Sequence, residues 1–205
     1  MNYYSQYGQD KIIDEILKQK TSGFFIDIGA HNGVAFSNTF FFEKERNWNG
    51  ICFEPHPKVF LDLKKNRKCT CINKGVGSKD DNLEFWSISG YPEMLSGFVS
   101  KYDVKHIERI NNEINQYNGS KKIIKVEIIS FDNFLKQNLI KKIDYLSIDT
   151  EGCEKEIMMS IDFNFTDITT ISVENNYNDC EIINHLLRHG YRHFKYHIDD
   201  IFIKG

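Results

Sequence analysis

The chain has 205 residues, enough for one domain with a substantial core. With 40% hydrophobic, 27% charged and 14% aromatic residues, its composition is that of a globular protein and argues against disorder. A net charge of −3, with lysines scattered among acids, offers no electrostatic case for nucleic acid.

No apolar run approaches the roughly 18 residues of a bilayer span. The opening MNYYSQYGQDKIIDEIL is polar and lacks a signal-peptide h-region. Five cysteines form no CxxC clip, since Cys69 and Cys71 alternate along a strand-like segment. Reduced thiols and a cytoplasmic location are the expectation.

In chain order, Ile12, Ile13, Ile16 and Leu17 mark an opening helix, with Ser5 or Asp10 near its start. Residues 24–28 form an apolar run broken only by Asp27, which suits a strand covered on both faces. A helix is expected over 37–46, a strand over 50–54 stopped by Pro55 and Pro57, and a helix over 58–66. A third strand over 70–74 leads into a glycine turn at 75–77. This alternation is the pattern of right-handed βαβ crossovers in a parallel sheet.

The middle departs from the pattern. Residues 83–88 and 123–129 read as strands, and a polar, helix-prone stretch over 101–118 lies between them. We read this region, about 83–129, as an insert over the sheet edge within a single domain spanning 1–205. Alternation then resumes: helix 131–137, strand 143–148, helix 153–160, strand 168–173 and helix 179–189. The final GYRHFKYH and DDIFIKG are joined too closely for a parallel crossover and must form an antiparallel hairpin.

Open parallel α/β sheets bind ligands at the carboxyl ends of their strands, where the strand order reverses. The turn after the first strand reads Gly29-Ala-His-Asn-Gly33, in which either glycine lets a ligand meet the backbone without a Cβ. The second strand ends in Glu54, where an acid can accept both ribose hydroxyls of an adenosine. A dinucleotide site wants G-x-G-x-x-G, but here His31 replaces the middle glycine. Asp27 beside the turn is a poor neighbour for pyrophosphate and a good one for the cationic end of S-adenosylmethionine. The plainer alternative is a tight strand-to-helix turn with Asp27 capping the next helix.

The segments IDIGAHNG, SNTFFFEKERNWNGICFEPHP and YLSIDTEGCEKEIM together resemble the FkbM family of S-adenosylmethionine-dependent methyltransferases. SQYGQD, LSGFVSKYDVKHIERI and GYRHFKYHIDDIFI fit it too, so the likeness runs along nearly the whole chain. It implies a class I methyltransferase (Rossmann-like) α/β three-layer sandwich. Its seven-stranded, mostly parallel sheet has an antiparallel last strand, and a helical and strand insert is added. It also implies O-methylation, commonly of a sugar or polyketide-like hydroxyl. Carried to matching positions, Asp27, Gly29, Ala30, Asn32 and Gly33 belong to the methionine end of the cofactor and Glu54 to its ribose. Gly75 and Val76 belong by the adenine, with Ser78 or Asp80 available to its amino group.

The fourth strand ends Ser147-Ile-Asp149-Thr-Glu151-Gly152, at the same sheet edge. Methyl transfer to a hydroxyl needs in-line positioning and a proton acceptor. Asp149 is the first choice for that acceptor and Glu151 the second. Both would equally serve as caps of the following helix. Glu174, ending the fifth strand, could join them in holding a hard cation such as Mg²⁺.

His31 is expected beside the ligand, and His106 on a helix face with Arg109 or against substrate. His185, His189, His193 and His197 show no zinc motif. Tyr91, Phe98, Tyr102 and His106 in the insert suit a glycan acceptor or an oligomer interface. Three rival readings stay open: a cofactor-binding or glycan-binding module without catalysis, a nicotinamide oxidoreductase, and a nucleic-acid methyltransferase. Charge and the DTEG sequence, where a DPPY-like motif would stand, disfavour the last.

Overall fold

The structure is a computed structural model describing residues 2–175 and 179–205. Its helices are α1 (Gln9–Ile16), α2 (Phe40–Arg46), α3 (Pro57–Asn66), α4 (Val104–Gln116), α5 (Phe131–Gln137), α6 (Glu154–Ser160) and α7 (Cys180–Arg188). The strands are β1 (Phe24–Ile28), β2 (Asn49–Phe53), β3 (Thr70–Ile72), β4 (Gly75–Gly77), β5 (Asp81–Ser89), β6 (Gly97–Phe98), β7 (Ser120–Ser130), β8 (Lys142–Ile148), β9 (Asp167–Glu174), β10 (Tyr191–Tyr196) and β11 (Asp199–Lys204).

Seven strands form the main sheet in the order β10-β11-β9-β8-β1-β2-β3. β1 pairs in parallel with both β2 and β8, so the order reverses beside it, and β11 runs antiparallel to β9. Alternate residues of each strand feed opposite layers. Phe25 and Tyr145 pack with Ile13, Phe41, Phe42 and Leu63 of α1–α3 on one face. Ile26, Leu146 and Ile171 pack with Leu135, Ile157 and Leu186 of α5–α7 on the other. Such two-sided burial is why these strands read as near-continuous apolar runs.

The middle region is a second sheet of four strands, ordered β4-β7-β5-β6. The β5–β7 ladder is antiparallel from Asp81↔Ile128 to Ser89↔Ser120, longer at both ends than the sequence suggests. The expected glycine turn at 75–77 is corrected to strand β4, paired in parallel with β7. Gly75 is a glycine for packing: a Cβ there would come within 2.4 Å of the Phe98 ring. Val76, Phe85, Phe98 and Ile128 join Ile26, Phe53 and Ile148 in one apolar core, so the two sheets are packed together.

Helix starts shift by a few residues for local reasons. α2 begins at Phe40 because Ser37 Oγ accepts the Phe40 N–H at 3.1 Å. α4 begins at Val104, capped by Asp103 accepting from the His106 N–H at 2.7 Å. Asp10 serves the start of α1, gathering the Tyr4 and Ser5 N–H groups and the Ser5 hydroxyl.

Arg67, just after α3, is the most connected cation of this framework. Its side chain is fully buried. It donates to Glu43 Oε2 at 3.0 Å, Gly33 O at 3.2 Å and Thr39 Oγ1 at 3.0 Å, and lies over the rings of Phe25 and Phe40. Removing one partner of a buried ion pair leaves the other uncompensated, at a cost of about 3–5 kcal/mol. Arg67→Ala should therefore lower the unfolding free energy in urea by about that amount. A loss within the ordinary range of a surface substitution would show that the network is not holding the turn.

Candidate active site

The carboxyl ends of β1, β2, β8 and β9 open into one cavity of about 370 Å³, a size suited to a small-molecule ligand. The β1 turn is built tightly against its neighbours. Gly29 has φ +89°, and a Cβ on it would fall 1.7 Å from the Asp149 carbonyl oxygen. Gly33 has φ +80°, and its Cβ would strike Leu63 and Arg67. Both glycines thus make room for the protein's own chain, and Gly29 also lines the cavity.

The N–H groups of this turn are largely consumed internally. Those of Gly29 and Ala30 go to Phe53 O, that of Gly33 to Ala30 O, and those of Val34 and Ala35 to the Asn32 side chain. His31, at the place of a middle glycine, adopts φ +48° and donates its N–H to Glu54 Oε2 at 2.9 Å. A pyrophosphate would need those donors free, so the turn is not a dinucleotide cradle.

Glu54 is the centre of the donor-side wall. It is 6% exposed, and its other oxygen accepts the His56 N–H at 2.7 Å. Burial raises its pKa to about 7 against the pull of these two N–H groups, with Asp27 and Glu93 adding repulsion. His56 stays neutral, its pKa lowered by burial. Its Nδ1 accepts from the Val59 N–H to cap α3, and its Nε2 meets Ser87 Oγ at 2.9 Å. His56 was not a sequence candidate, although a polar residue directly before a helix-starting proline is a capping signal.

Of the residues expected to hold a cofactor, Gly29, Glu54, Gly75 and Val76 line the cavity. Asp27, Ala30, Asn32 and Gly33 are not among the lining residues. Asp27 is buried and accepts from Thr39 Oγ1 at 2.6 Å; burial raises its pKa, and Arg67 and Thr39 oppose the rise. It reaches the N-cap residue of α2 through a side chain and caps no backbone N–H. Asp80 accepts the Ser130 N–H and Ser78 O accepts from the Ser130 hydroxyl, so both brace the second sheet.

At the other end of the cavity, carboxylate oxygens of Asp149, Glu151 and Glu174 lie within 4.8 Å of one another. Neither Asp149 nor Glu151 caps the next helix. Glu154, the first residue of α6, instead braces the loop before it, accepting from the Thr150 and Gly152 N–H groups and the Thr150 hydroxyl, and α6 has no side-chain cap. Asp149 opens on the cavity but is crowded by protein behind it. Its pKa is raised well above the usual carboxylate range by desolvation and then by Glu174 and Glu151.

Glu151 has φ +57°, a strained backbone for a non-glycine residue. Desolvation and Glu174 raise its pKa, Arg109 lowers it, and its Oε2 stands 3.6 Å from His106 Nδ1. Three oxygens this close could hold a hard cation.

The insert supplies Glu93, Met94, Leu95, Ser96, Phe98 and Arg109 to the cavity wall. Tyr102 and His106 stack at 4.8 Å beside a smaller neighbouring cavity that shares Glu151 and Glu174, whereas Tyr91 is 74% exposed and packs on Tyr117. The N-terminal segment closes the remaining side with Gln6, Tyr7 and Gln9, and Gln9 Nε2 donates to the buried Asp199 at 2.8 Å. Polar atoms without hydrogen-bond partners remain on this wall: the His31 ring nitrogens, of which Nε2 is 3.7 Å from Glu93, and Asn38 Oδ1.

The profile of the Methyltransferase FkbM domain matches residues 27–193. No curated protein sequence matches the chain. Among solved structures the chain is similar to an FkbM methyltransferase from Methylobacillus flagellatus KT, with 10% identity and a TM-score of 0.52. That alignment covers 89% of this chain and 43% of the other, so the chain spans less than half the length of that protein. It is also similar to a precorrin-6y C5,15-methyltransferase from Geobacter metallireducens GS-15, with 13% identity over 96% of this chain and 87% of the other and a TM-score of 0.47.

The crowding of the acids has a direct consequence for stability. A carboxyl whose folded pKa is raised holds its proton more tightly when folded, so stability is lost as pH climbs from the unfolded pKa through the folded one. Asp149→Asn removes that loss. With EDTA present, the variant should melt above the wild type at about pH 8 and close to it at about pH 4. Equal melting temperatures at the higher pH would mean that the acids do not repel one another.

Proposed function

Because the chain belongs to the FkbM family of methyltransferases and carries the class I fold, we propose that it methylates a hydroxyl of a sugar or glycan, using S-adenosylmethionine. The observation that carries this reading is that Glu54 and the Asp149 group stand at two ends of one cavity astride the strand-order reversal. The residues present fit the cofactor. Glu54 is a buried carboxylate suited to a ribose diol, and the partnerless Asn38 Oδ1 suits an amino-acid end. When bound, the cofactor supplies an electrophilic methyl group on a positively charged sulfur.

The chain's own residues then have distinct tasks. Glu54 accepts the ribose hydroxyls and so fixes the donor end. Asp149 takes up the acceptor's hydroxyl proton, and a raised pKa brings this base closer to the working pH. Glu151, flanked by His106 and Arg109, orients the acceptor. A divalent cation on Asp149, Glu151 and Glu174 would add Lewis-acid activation of the same hydroxyl. We place the protein in the cytoplasm, where cysteines remain thiols; no helix among the described residues is long and apolar enough to cross a membrane.

Two measurements test this reading. S-Adenosylhomocysteine should bind in calorimetry, more tightly as pH is raised from about 6 to about 8, because Glu54 ionises near 7 and the ionised form accepts from both hydroxyls. Glu54→Gln should bind at least about tenfold more weakly and lose that pH dependence. NAD binding in place of the homocysteine ligand would restore the oxidoreductase.

For the chemical step, methyl glycosides are screened for gain of one methyl group. Asp149→Asn should lower kcat on an active glycoside by about 10²–10⁴-fold while leaving homocysteine-ligand affinity little changed. Cofactor binding without turnover on any glycoside, in EDTA or in Mg²⁺, would favour the inactive binding module.

A further inference from the structure

Phe36 is costly where it stands. It has φ +56°, a backbone conformation that favours glycine and is a true outlier for a bulky side chain. Its residue surface is 53% exposed, so burial gives little in return. The fold has no use for an aromatic ring at this position; glycine or asparagine would relieve the backbone. Yet Phe36 lines the cavity.

A second exposed ring stands with it. Ser5 forms a parallel bridge with Phe36, which ties the N-terminal segment across the cavity mouth. That segment is fastened at several points. Asp10 holds Tyr4 and Ser5, Gln9 accepts the Tyr7 N–H, and the Tyr196 hydroxyl donates to Tyr7 O. Tyr7 is 39% exposed, lies against His197 with ring centroids 4.8 Å apart and planes 14° apart, and also lines the cavity. Its orientation is thereby set before any ligand arrives.

The segments that carry the two rings are tied to the acid end of the cavity. Asn38, two residues beyond Phe36, donates to Ser147 on the strand that leads to Asp149. Asp199, held by Gln9, pairs in register with Glu174. Glu54 lies at the end of β2, on the other side of β1. The rings therefore overlook the end where the acceptor would react.

We propose that Phe36 and Tyr7 form an aromatic lip that takes the flat C–H face of the acceptor's pyranose ring; this rests on the sugar-methylation reading above. The negative face of an aromatic ring attracts the polarised C–H groups of a sugar, which present one apolar face and an equatorial rim of hydroxyls. The rim finds polar partners in the same cavity: the Gln6 amide and Arg109. An extended apolar acceptor would leave those polar groups unmatched.

The test is saturation-transfer NMR with methyl α-glycosides of glucose, galactose, mannose and rhamnose, with and without S-adenosylhomocysteine. Phe36→Gly removes the ring and supplies a residue that accepts φ +56° freely, so its melting temperature should equal or exceed that of the wild type. Tyr7→Ala is the independent second variant.

At least one glycoside should bind the wild type through its ring C–H protons, and each variant should weaken it by about five- to tenfold. Homocysteine-ligand affinity should stay unchanged, and Phe36→Trp should restore glycoside binding. Failure of every glycoside on the wild type, or undiminished binding to both variants, overturns the lip. Loss of homocysteine-ligand affinity with glycoside binding retained would assign the rings to the cofactor and also overturn it. Glycoside binding that depends on Phe36 in a protein with no affinity for the homocysteine ligand would uphold the lip and remove the methyl-donor reading.

Discussion

The buried Arg67 guanidinium is the constraint on which the site depends. A cation taken wholly out of water must be matched by hydrogen bonds on every side, and Arg67 finds them on Glu43, Gly33 O and Thr39, with Asp27 nearby. Those partners come from β1, its turn and the start of α2. Satisfying one charge therefore pins the end of α3 to the β1 turn. Asp27 belongs to this arrangement as a counter-charge and a Thr39 acceptor, at one remove from the cavity. The turn so fixed sets His31 N–H on Glu54 and the Gly29 backbone against Asp149.

Around that fixed turn, two additions enclose the sheet edge. The second sheet shares the main core through Phe85, Phe98 and Ile128, so its wall of Glu93–Ser96 is held by apolar packing. The N-terminal segment is held by polar contacts to the hairpin of β10 and β11. An antiparallel β11 matters here: because it runs against β9, its first residue, Asp199, arrives at the same edge as Glu174. Enclosure crowds carboxylates together and raises their pKa values, which works against folded stability and in favour of proton acceptance.

Backbone strain reaches the cavity as well, at three of the ten positive-φ non-glycine positions among the described residues. His31, Phe36 and Glu151 are non-glycine residues with positive φ, and all three line the cavity. Such conformations persist only where the surrounding structure imposes them. At His31 a hydrogen bond to Glu54 does so, and at Phe36 the bridge to Ser5. Each is a place where glycine would suit the local backbone better than the residue present.

The parallel sheet, its helices and the terminal hairpin were legible in the chain because buried strands and amphipathic helices have different apolar periods. Glu54, Asp149, Glu151 and Glu174 were legible as acids at strand ends, because strand order alone brings those ends to one edge. The conversion of 75–77 from turn to strand was not legible, because the reason is its pairing with β7, about fifty residues away. Nor was the fate of the expected caps: neither Asp149 nor Glu151 caps α6, and Glu154 instead holds the loop that carries them. The sequence by itself determined which segments fold and which acids share an edge, since those follow from local period and chain order. Tertiary structure alone decided that Asp27 turns to Thr39, that Phe36 faces the cavity and that the acids raise one another's pKa, because each depends on contacts between separate segments.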